Sequence, residues 1–304
     1  MNQLQENGWT IVPNVMSSEE IQTARNLFWN WLEGLNSGID RSNIETWKNS
    51  SWPGSSFGLL SSHQISQSEF AWYVRSRPLI KEVFSQIWKT DDLACSMDAI
   101  ICWRPWWLNR SWDNWKPKVE GYHLDQNPNS KPGFHCVQGM VPLYDVTENI
   151  GGLALAPKTH TPEIQEQIRE HLPMRNDWCV LPDQEDPILK DIQLINAKAG
   201  DLILWDSRLI HGGQIGSGQG KNEELARLSV PVCMMPRKSI PEEIKKEREE
   251  AFINGNTLSH WVNECNYFPS FAEEGYGTKI PLSESNSNIR NKKILSSKHI
   301  KDIF

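Results

Sequence analysis

Long apolar runs are missing from this chain. No stretch approaches the roughly 18 consecutive apolar residues that a membrane-crossing helix needs. Positive charge is short as well: 31 Lys and Arg stand against 38 Asp and Glu, a formal net charge of −7. Without a basic stripe to neutralise phosphates, no nucleic-acid partner is expected. Cysteines are few and scattered. Cys95, Cys102, Cys136, Cys179, Cys233 and Cys265 form no C-x-x-C pair, so neither a zinc ribbon nor a dithiol redox motif is spelled out. Cys102 in AIICW and Cys233 in VPVCMM lie inside apolar runs, which predicts buried, reduced thiols. The opening MNQLQENGWTIVP has no basic segment followed by an apolar one, so a cytoplasmic protein is expected. With 19 Gly, 18 Pro and 23% charged residues in 304, collagen, low-complexity disorder and a coiled coil are excluded.

What the chain has in excess is tryptophan, 15 residues. Trp is large and carries an N–H that wants a partner, so a thick aromatic core or an aromatic-lined cavity follows. GWTIVPNV reads as a strand that stops at Pro13-Asn14. Ser17-Ser18-Glu19-Glu20 is a capping box, and Ile21, Ala24, Phe28, Leu32 and Leu35 then recur at helical spacing, with Gly38 as the stop. Residues 40–70 suit a long loop. Pro78 opens a second helix, LIKEVFSQIW, with Leu79, Val83, Phe84 and Ile87 expected inward. From about residue 93 short β-rich runs alternate with turns: 93–103, 134–143, 152–156, 192–196, 201–205 and 227–235. Such spacing argues for a sandwich or barrel. Pro241-Glu242-Glu243 opens a charged helix to about Phe252, and the Ser/Asn/Lys-rich tail from about 283 predicts a loosely attached end. The expectation is one domain over 1–304: helical support over 1–92, a β core over about 93–236, and a helix and tail over 237–304.

The chemistry concentrates in Gly121-Tyr122-His123-Leu124-Asp125-Gln126. Residues i and i+2 of an extended chain share a face, so His123 and Asp125 present an imidazole and a carboxylate side by side. That is two thirds of the facial triad that holds Fe(II) with positions open for substrate and oxygen. Alone, such a pair is more often a hydrogen-bonded surface pair. Gly200-Asp201-Leu202-Ile203-Leu204-Trp205 then enters a buried strand running on to His211, expected at that strand's end, with Gly212 and Gly213 behind it. His211 could supply the third ligand, and the glycines would allow close backbone approach. Arg227 and Ser229 share a face of the last strand. An Arg fork with a hydroxyl suits a carboxylate at the bottom of a pocket, whereas either residue alone also fits a surface role.

In that order these motifs resemble the phytanoyl-CoA dioxygenase family of Fe(II)/2-oxoglutarate oxygenases. The supporting stretches are GWTIVPNVMSSEE, GYHLDQNP, VQGMVPLYDVTENIGGLALAPKTH, AGDLILWDSRLIHGG and RLSVPVCMMPR. The resemblance implies a mainly β fold: a double-stranded β-helix, or jelly-roll barrel, with flanking α-helices. It implies His123, Asp125 and His211 as iron ligands, also counted as catalytic, and Arg227 with Ser229 on the distal carboxylate of 2-oxoglutarate. Fe(II), 2-oxoglutarate and O2 are the implied cofactors. Because Asp125 is present where related halogenases carry a small residue, the implied reaction is C–H hydroxylation of a small molecule, releasing succinate and CO2. A jelly-roll binding or sensing protein, or an oxygenase acting on a macromolecule, is the alternative.

Other residues carry two readings each. Gln138 could contact 2-oxoglutarate or substrate, or tie strands together. Trp103 and Trp205 could line the substrate site, against a packing role. Trp106, Trp107, Trp112 and Trp115 could extend an aromatic wall at the substrate site, with packing of a long loop against the barrel as the favoured reading. His135 and His260 could be ligands in principle, with hydrogen-bonded core or interface histidines as the nearer reading. Arg208 and Arg237 are weaker alternatives to Arg227, since neither lies within the strand facing the metal. Arg104, Arg110, Lys116 and Lys118 form a possible basic patch for a thioester or a solvated loop.

Overall fold

In the computed structural model, which describes residues 2–108, 114–172, 177–219, 224–268 and 275–280, alternation along short strands decides which side chains face inward. The strands are β1 (Trp9–Val12), β2 (Leu59–Leu60), β3 (Leu93–Cys95), β4 (Ile100–Trp103), β5 (His123–Leu124), β6 (Val137–Pro142) and β7 (Gly151–Leu155), followed by β8 (Cys179–Val180), β9 (Gln193–Leu194), β10 (Leu202–Asp206), β11 (His211–Ile215), β12 (Arg227–Pro231) and β13 (Met234–Pro236). Six join in the order β1-β10-β6-β12-β4-β2 and five in the order β8-β5-β11-β7-β9, while β13 pairs with β3. The pairings are antiparallel. The two larger sheets face each other as a double-stranded β-helix.

The six-stranded sheet has an apolar outer face. Val137, Val141, Leu202, Leu204, Leu228 and Val230 pack there with Ile21, Phe28, Phe70 and Trp72, carried by α2 (Ser18–Glu33) and α3 (Glu69–Arg75). The alternate residues point to the five-stranded sheet: Met140, Ile203 and Trp205 meet Leu153 and Leu155. The period of two therefore sends Gln138, Arg227 and Ser229 inward with them.

The capping box forms as expected: Glu20 N–H donates to Ser17 Oγ at 3.2 Å and Ser17 N–H to the Glu20 carboxylate at 2.9 Å. Ile21, Ala24, Phe28 and Leu32 are buried, but the helix ends at Glu33 with Gly34 as its cap, before Gly38. In α4 (Pro78–Trp88) the inward position is Ile80, and Leu79 is 49% exposed. The LI pair left two phases open, and contact with β13 selected the second. Two helices had no clear sequence signal: α1 (Asn2–Asn7), which precedes β1, and α3 within the Ser-rich region. The α5 (Pro162–Arg169) and α6 (Glu242–Ile253) helices flank the barrel. The cysteines are free, and five are buried. No helix among the described residues is long and apolar enough to cross a membrane. The tail expectation, Arg110 and Trp112 fall outside the described residues.

Candidate metal centre

His123 opens β5 and His211 opens β11, and the two are register partners across that strand pair. The approach depends on Gly212, where a Cβ would stand 2.9 Å from the Gly121 carbonyl oxygen. His211 is thus the first residue of a new strand rather than the end of β10, because a turn after Asp206 intervenes. Asp125 follows β5 at the i+2 position. One ligand atom from each of His123, Asp125 and His211 lies within 4.8 Å of the other two.

The imidazoles are oriented alike. The Nδ1 of His123 is 2.9 Å from the Gly121 carbonyl, and that of His211 is 2.9 Å from the Leu209 carbonyl. Each carbonyl accepts the Nδ1 proton and leaves the Nε2 lone pair free, the tautomer a metal requires. The Nε2 atoms converge on one carboxylate, at 3.8 Å for His123 and 3.2 Å for His211. Burial works to raise the Asp125 carboxyl, yet the charge and hydrogen bond of His211 hold it well below the usual range. Burial opposes the charged form of His211, and Asp125 overcomes it, raising its pKa. Burial and the charge of His211 push His123 down to about 4. One negative and two imidazole donors on one side suit a divalent metal with positions open opposite.

The inner face of the six-stranded sheet supplies the remaining polar groups. Gln138 Nε2 donates to Asp125 Oδ2 at 3.1 Å, so its contact here is a metal-site carboxylate. Trp205, 3% exposed, places its ring centroid 5.6 Å from that of His211, and its Nε1 is buried without a partner among the described residues. Arg227 is 5% exposed. Its guanidinium meets Ser229 Oγ at 3.4 Å, Met140 Sδ at 3.4 Å and, at 4.6 Å, the ring of Trp103. No carboxylate among the described residues pairs with it, and burial lowers it to about 10. A buried cation without a counter-charge is costly. An anion delivered by a ligand, such as the far carboxylate of 2-oxoglutarate, fits that vacancy in charge. With the Nε2 orientation of both imidazoles, the residues fit an iron and 2-oxoglutarate site.

The other candidates separate cleanly. Arg208 is held by Asp206 at 2.8 and 2.7 Å, and Arg237 by Asp92 at 3.1 Å and the Leu93 carbonyl at 3.0 Å. Trp103 stacks against the Arg227 guanidinium, its ring centroid 4.6 Å away. Arg104 is 4% exposed and bonded to the Trp47 carbonyl at 2.6 Å, so it belongs to no surface patch. His135 is exposed, 3.1 Å from the Pro132 carbonyl, and not a core residue. His260 is buried within electrostatic reach of all three triad residues. Two groups near the centre escaped the sequence reading. Trp178, 53% exposed, has its ring 6.0 Å from that of His123. The Glu120 carboxyl is raised by burial and by the charge of Asp125. Neither sits in a motif; only the folding of 177–180 onto β5 brings Trp178 there.

The family model for phytanoyl-CoA dioxygenase (PhyH) matches residues 4–220. The chain belongs to the phytanoyl-CoA dioxygenase family. Members of this family use Fe(II), 2-oxoglutarate and O2, the cofactor set expected from the sequence. Among curated relatives, Ava biosynthesis cluster protein O of Aspergillus versicolor is 27% identical over 276 residues, covering 84% of this chain and 85% of that one. A putative phytanoyl-CoA dioxygenase of Dictyostelium discoideum is 24% identical over 255 residues, covering 72% and 71%. Among solved structures, the epimerase SnoN in complex with Fe3+, alpha ketoglutarate and nogalamycin RO aligns with a TM-score of 0.52 at 14% identity, covering 77% of this chain and 81% of that one. The non-heme alpha ketoglutarate dependent carbocyclase SnoK from nogalamycin biosynthesis gives 0.52 at 16% identity, with the same coverage. These structural likenesses show that the chain shares its fold with both enzymes.

Proposed function

We propose that this PhyH-family chain is an Fe(II)- and 2-oxoglutarate-dependent dioxygenase that hydroxylates a C–H bond of a small molecule, with succinate and CO2 as co-products. The observation that carries the reading is Arg227, buried on the barrel's inner face with no carboxylate among the described residues beside it. A protein that never bound an anion there would retain an uncompensated buried charge for nothing.

In this reading His123, Asp125 and His211 hold the iron through Nε2, a carboxylate oxygen and Nε2. Bound iron with 2-oxoglutarate and O2 supplies the oxidative chemistry. Arg227 forks onto the far carboxylate of the co-substrate with Ser229 beside it. Gln138 fixes the Asp125 carboxylate so that its other oxygen stays directed at the metal. Trp205 closes the inner side of His211 against water. On the outer side, exposed Trp178 beside His123 offers a flat apolar wall to a small substrate.

Anaerobic addition of Fe(II) and 2-oxoglutarate should produce a metal-to-ligand charge-transfer band in the wild type. The band should be lost in His123→Ala and His211→Ala, with the fold retained by circular dichroism. Iron binding equally to wild type and both variants would sink the assignment. With substrate and chloride present, an oxygenated product is expected; a chlorinated, epimerised or ring-closed main product would redirect the reaction assignment.

A further inference from the structure

A second imidazole system lies beside the triad without belonging to it. His260 is 8% exposed, and its Nε2 is buried with no hydrogen-bond partner among the described residues. A buried polar nitrogen left unmatched loses its water without replacement, so native proteins rarely keep one without a reason. Asp125, His211 and His123 all lie within reach of its field. It is nevertheless not among the three residues whose ligand atoms converge. Burial keeps the ring neutral at ordinary pH, lowering its pKa, so it carries one N–H to donate.

Its position is held with care. The segment bearing it crosses back over the barrel: Leu258 N–H donates to the Met97 carbonyl at 2.8 Å, Thr257 Oγ1 to the Ser61 carbonyl at 2.8 Å, and Ser259 N–H to the Asn266 carbonyl at 2.9 Å. Lys131 then ties this segment to the metal site. Its ammonium pairs with Glu264 on the segment and with Asp177, next to Trp178. It also lies 3.9 Å from the centroid of the Trp261 ring. Lys131 is six residues past Asp125, in the loop that leaves the triad. One cation thus joins the loop behind a triad carboxylate, the segment before Trp178, and the segment carrying His260.

We propose that His260 is a positioning residue whose Nε2–H donates a hydrogen bond to an oxygen atom held at the open positions of the metal. This rests on the iron and 2-oxoglutarate reading above. A filled metal site would bring oxygen acceptors toward a nitrogen for which the described residues supply none. Two sources share that chemistry, water on the metal and a carboxylate of 2-oxoglutarate.

The test uses the full chain under anaerobic conditions, in two arms: Co(II) alone, read by its d–d spectrum, and Fe(II) with 2-oxoglutarate, read by the charge-transfer band. His260→Phe keeps a ring and removes the donor. It should shift the band and weaken 2-oxoglutarate binding by roughly 10-fold or more, the loss expected for one hydrogen bond to a charged acceptor. His260→Gln, which carries an N–H near the original Nε2 position, should restore most of both. A change already present with Co(II) alone assigns the partner to water; a change seen only with 2-oxoglutarate assigns it to the carboxylate. If His260→Phe fails to fold, His260→Asn, whose amide stops short at the Nδ1 position, carries the same expectation. Folded variants with wild-type spectra in both arms would overturn the inference. A wild type that shows no band at all would instead remove the proposed function itself.

Discussion

Two arginines stand on opposite faces of the six-stranded sheet, and both are buried. On the outer, helix-covered side, Arg75 is fully enclosed and each of its three guanidinium nitrogens has a partner. Its guanidinium donates to the carbonyls of Ser66 at 2.7 Å, Asp98 at 2.7 Å and Pro231 at 3.3 Å. On the inner side, Arg227 meets one hydroxyl, one sulfur and an aromatic face. Burial lowers both guanidinium pKa values, so exclusion from water does not distinguish them. The difference lies in the partner set. Three carbonyls around Arg75 complete a structural joint between α3, the segment before it and the end of β12. The unfilled fork of Arg227 leaves room for an external anion. Between these two arginines, the fuller set of partners joins elements of the fold, and the emptier one faces the inside of the barrel.

Opposite outcomes for the two arginines would sharpen that contrast. Arg227→Ala should raise the KM for 2-oxoglutarate by roughly 30-fold to several-thousand-fold, since losing a buried charged partner costs about 2–5 kcal/mol. Its Tm should hold or rise, because an uncompensated charge leaves the interior. Steady-state kinetics and calorimetry read the two effects. Arg208→Ala is the control, and a KM rise there without one in Arg227→Ala would break the comparison.

Arg75→Ala should do the reverse. Three carbonyls lose a donor, the Asp98 one keeping only the Ser66 hydroxyl at 2.9 Å, and at about 1–3 kcal/mol for each unsatisfied group the loss of stability should reach about 3 kcal/mol. Denaturant unfolding measures it; a variant as stable as wild type would show that the outer set is dispensable.

Gln138→Ala removes the donor that steadies Asp125 at 3.1 Å. Support of this kind around a metal is worth roughly 10- to 100-fold in metal affinity, so Fe(II) should bind more weakly while 2-oxoglutarate saturation of the loaded enzyme moves little. A larger effect on 2-oxoglutarate than on iron would assign Gln138 to the co-substrate.

The smallest effect is a pH dependence. Asp125 raises the pKa of His211, and the metal needs the neutral ring, so binding displaces a proton. Apparent metal affinity should therefore be full above that raised pKa and fall by about tenfold per unit as pH drops below it. Isothermal titration in buffers of differing ionisation enthalpy counts the proton. Affinity independent of pH across that range would place the proton elsewhere.

Local spacing made much of this legible. A period of two placed His123 beside Asp125 and Arg227 beside Ser229, because an extended backbone puts i and i+2 on one face whatever surrounds it. The Ser17–Glu20 capping box and the Pro78 helix start were readable for the same reason, since each is closed within one turn. Less legible was anything decided by a turn between elements. Trp205 comes near His211 although the even count between them is interrupted by the turn after Asp206. Leu79 yielded the inward position to Ile80 because α4 had two possible faces and β13 chose between them.

By itself, then, the sequence determined the alternating strands, the helix starts and the residue pairs that sit two apart, all properties of a few consecutive dihedral angles. Tertiary structure decided which distant residues share one space: Gln138 reaching Asp125 from the facing sheet, Trp178 standing beside His123, and His260 set near the triad by Lys131. Those placements depend on sheet pairing, turn geometry and ion pairs between segments far apart in the chain. No local pattern of amino acids encodes them, because the energy that fixes each one is shared between partners that meet only after the barrel has closed.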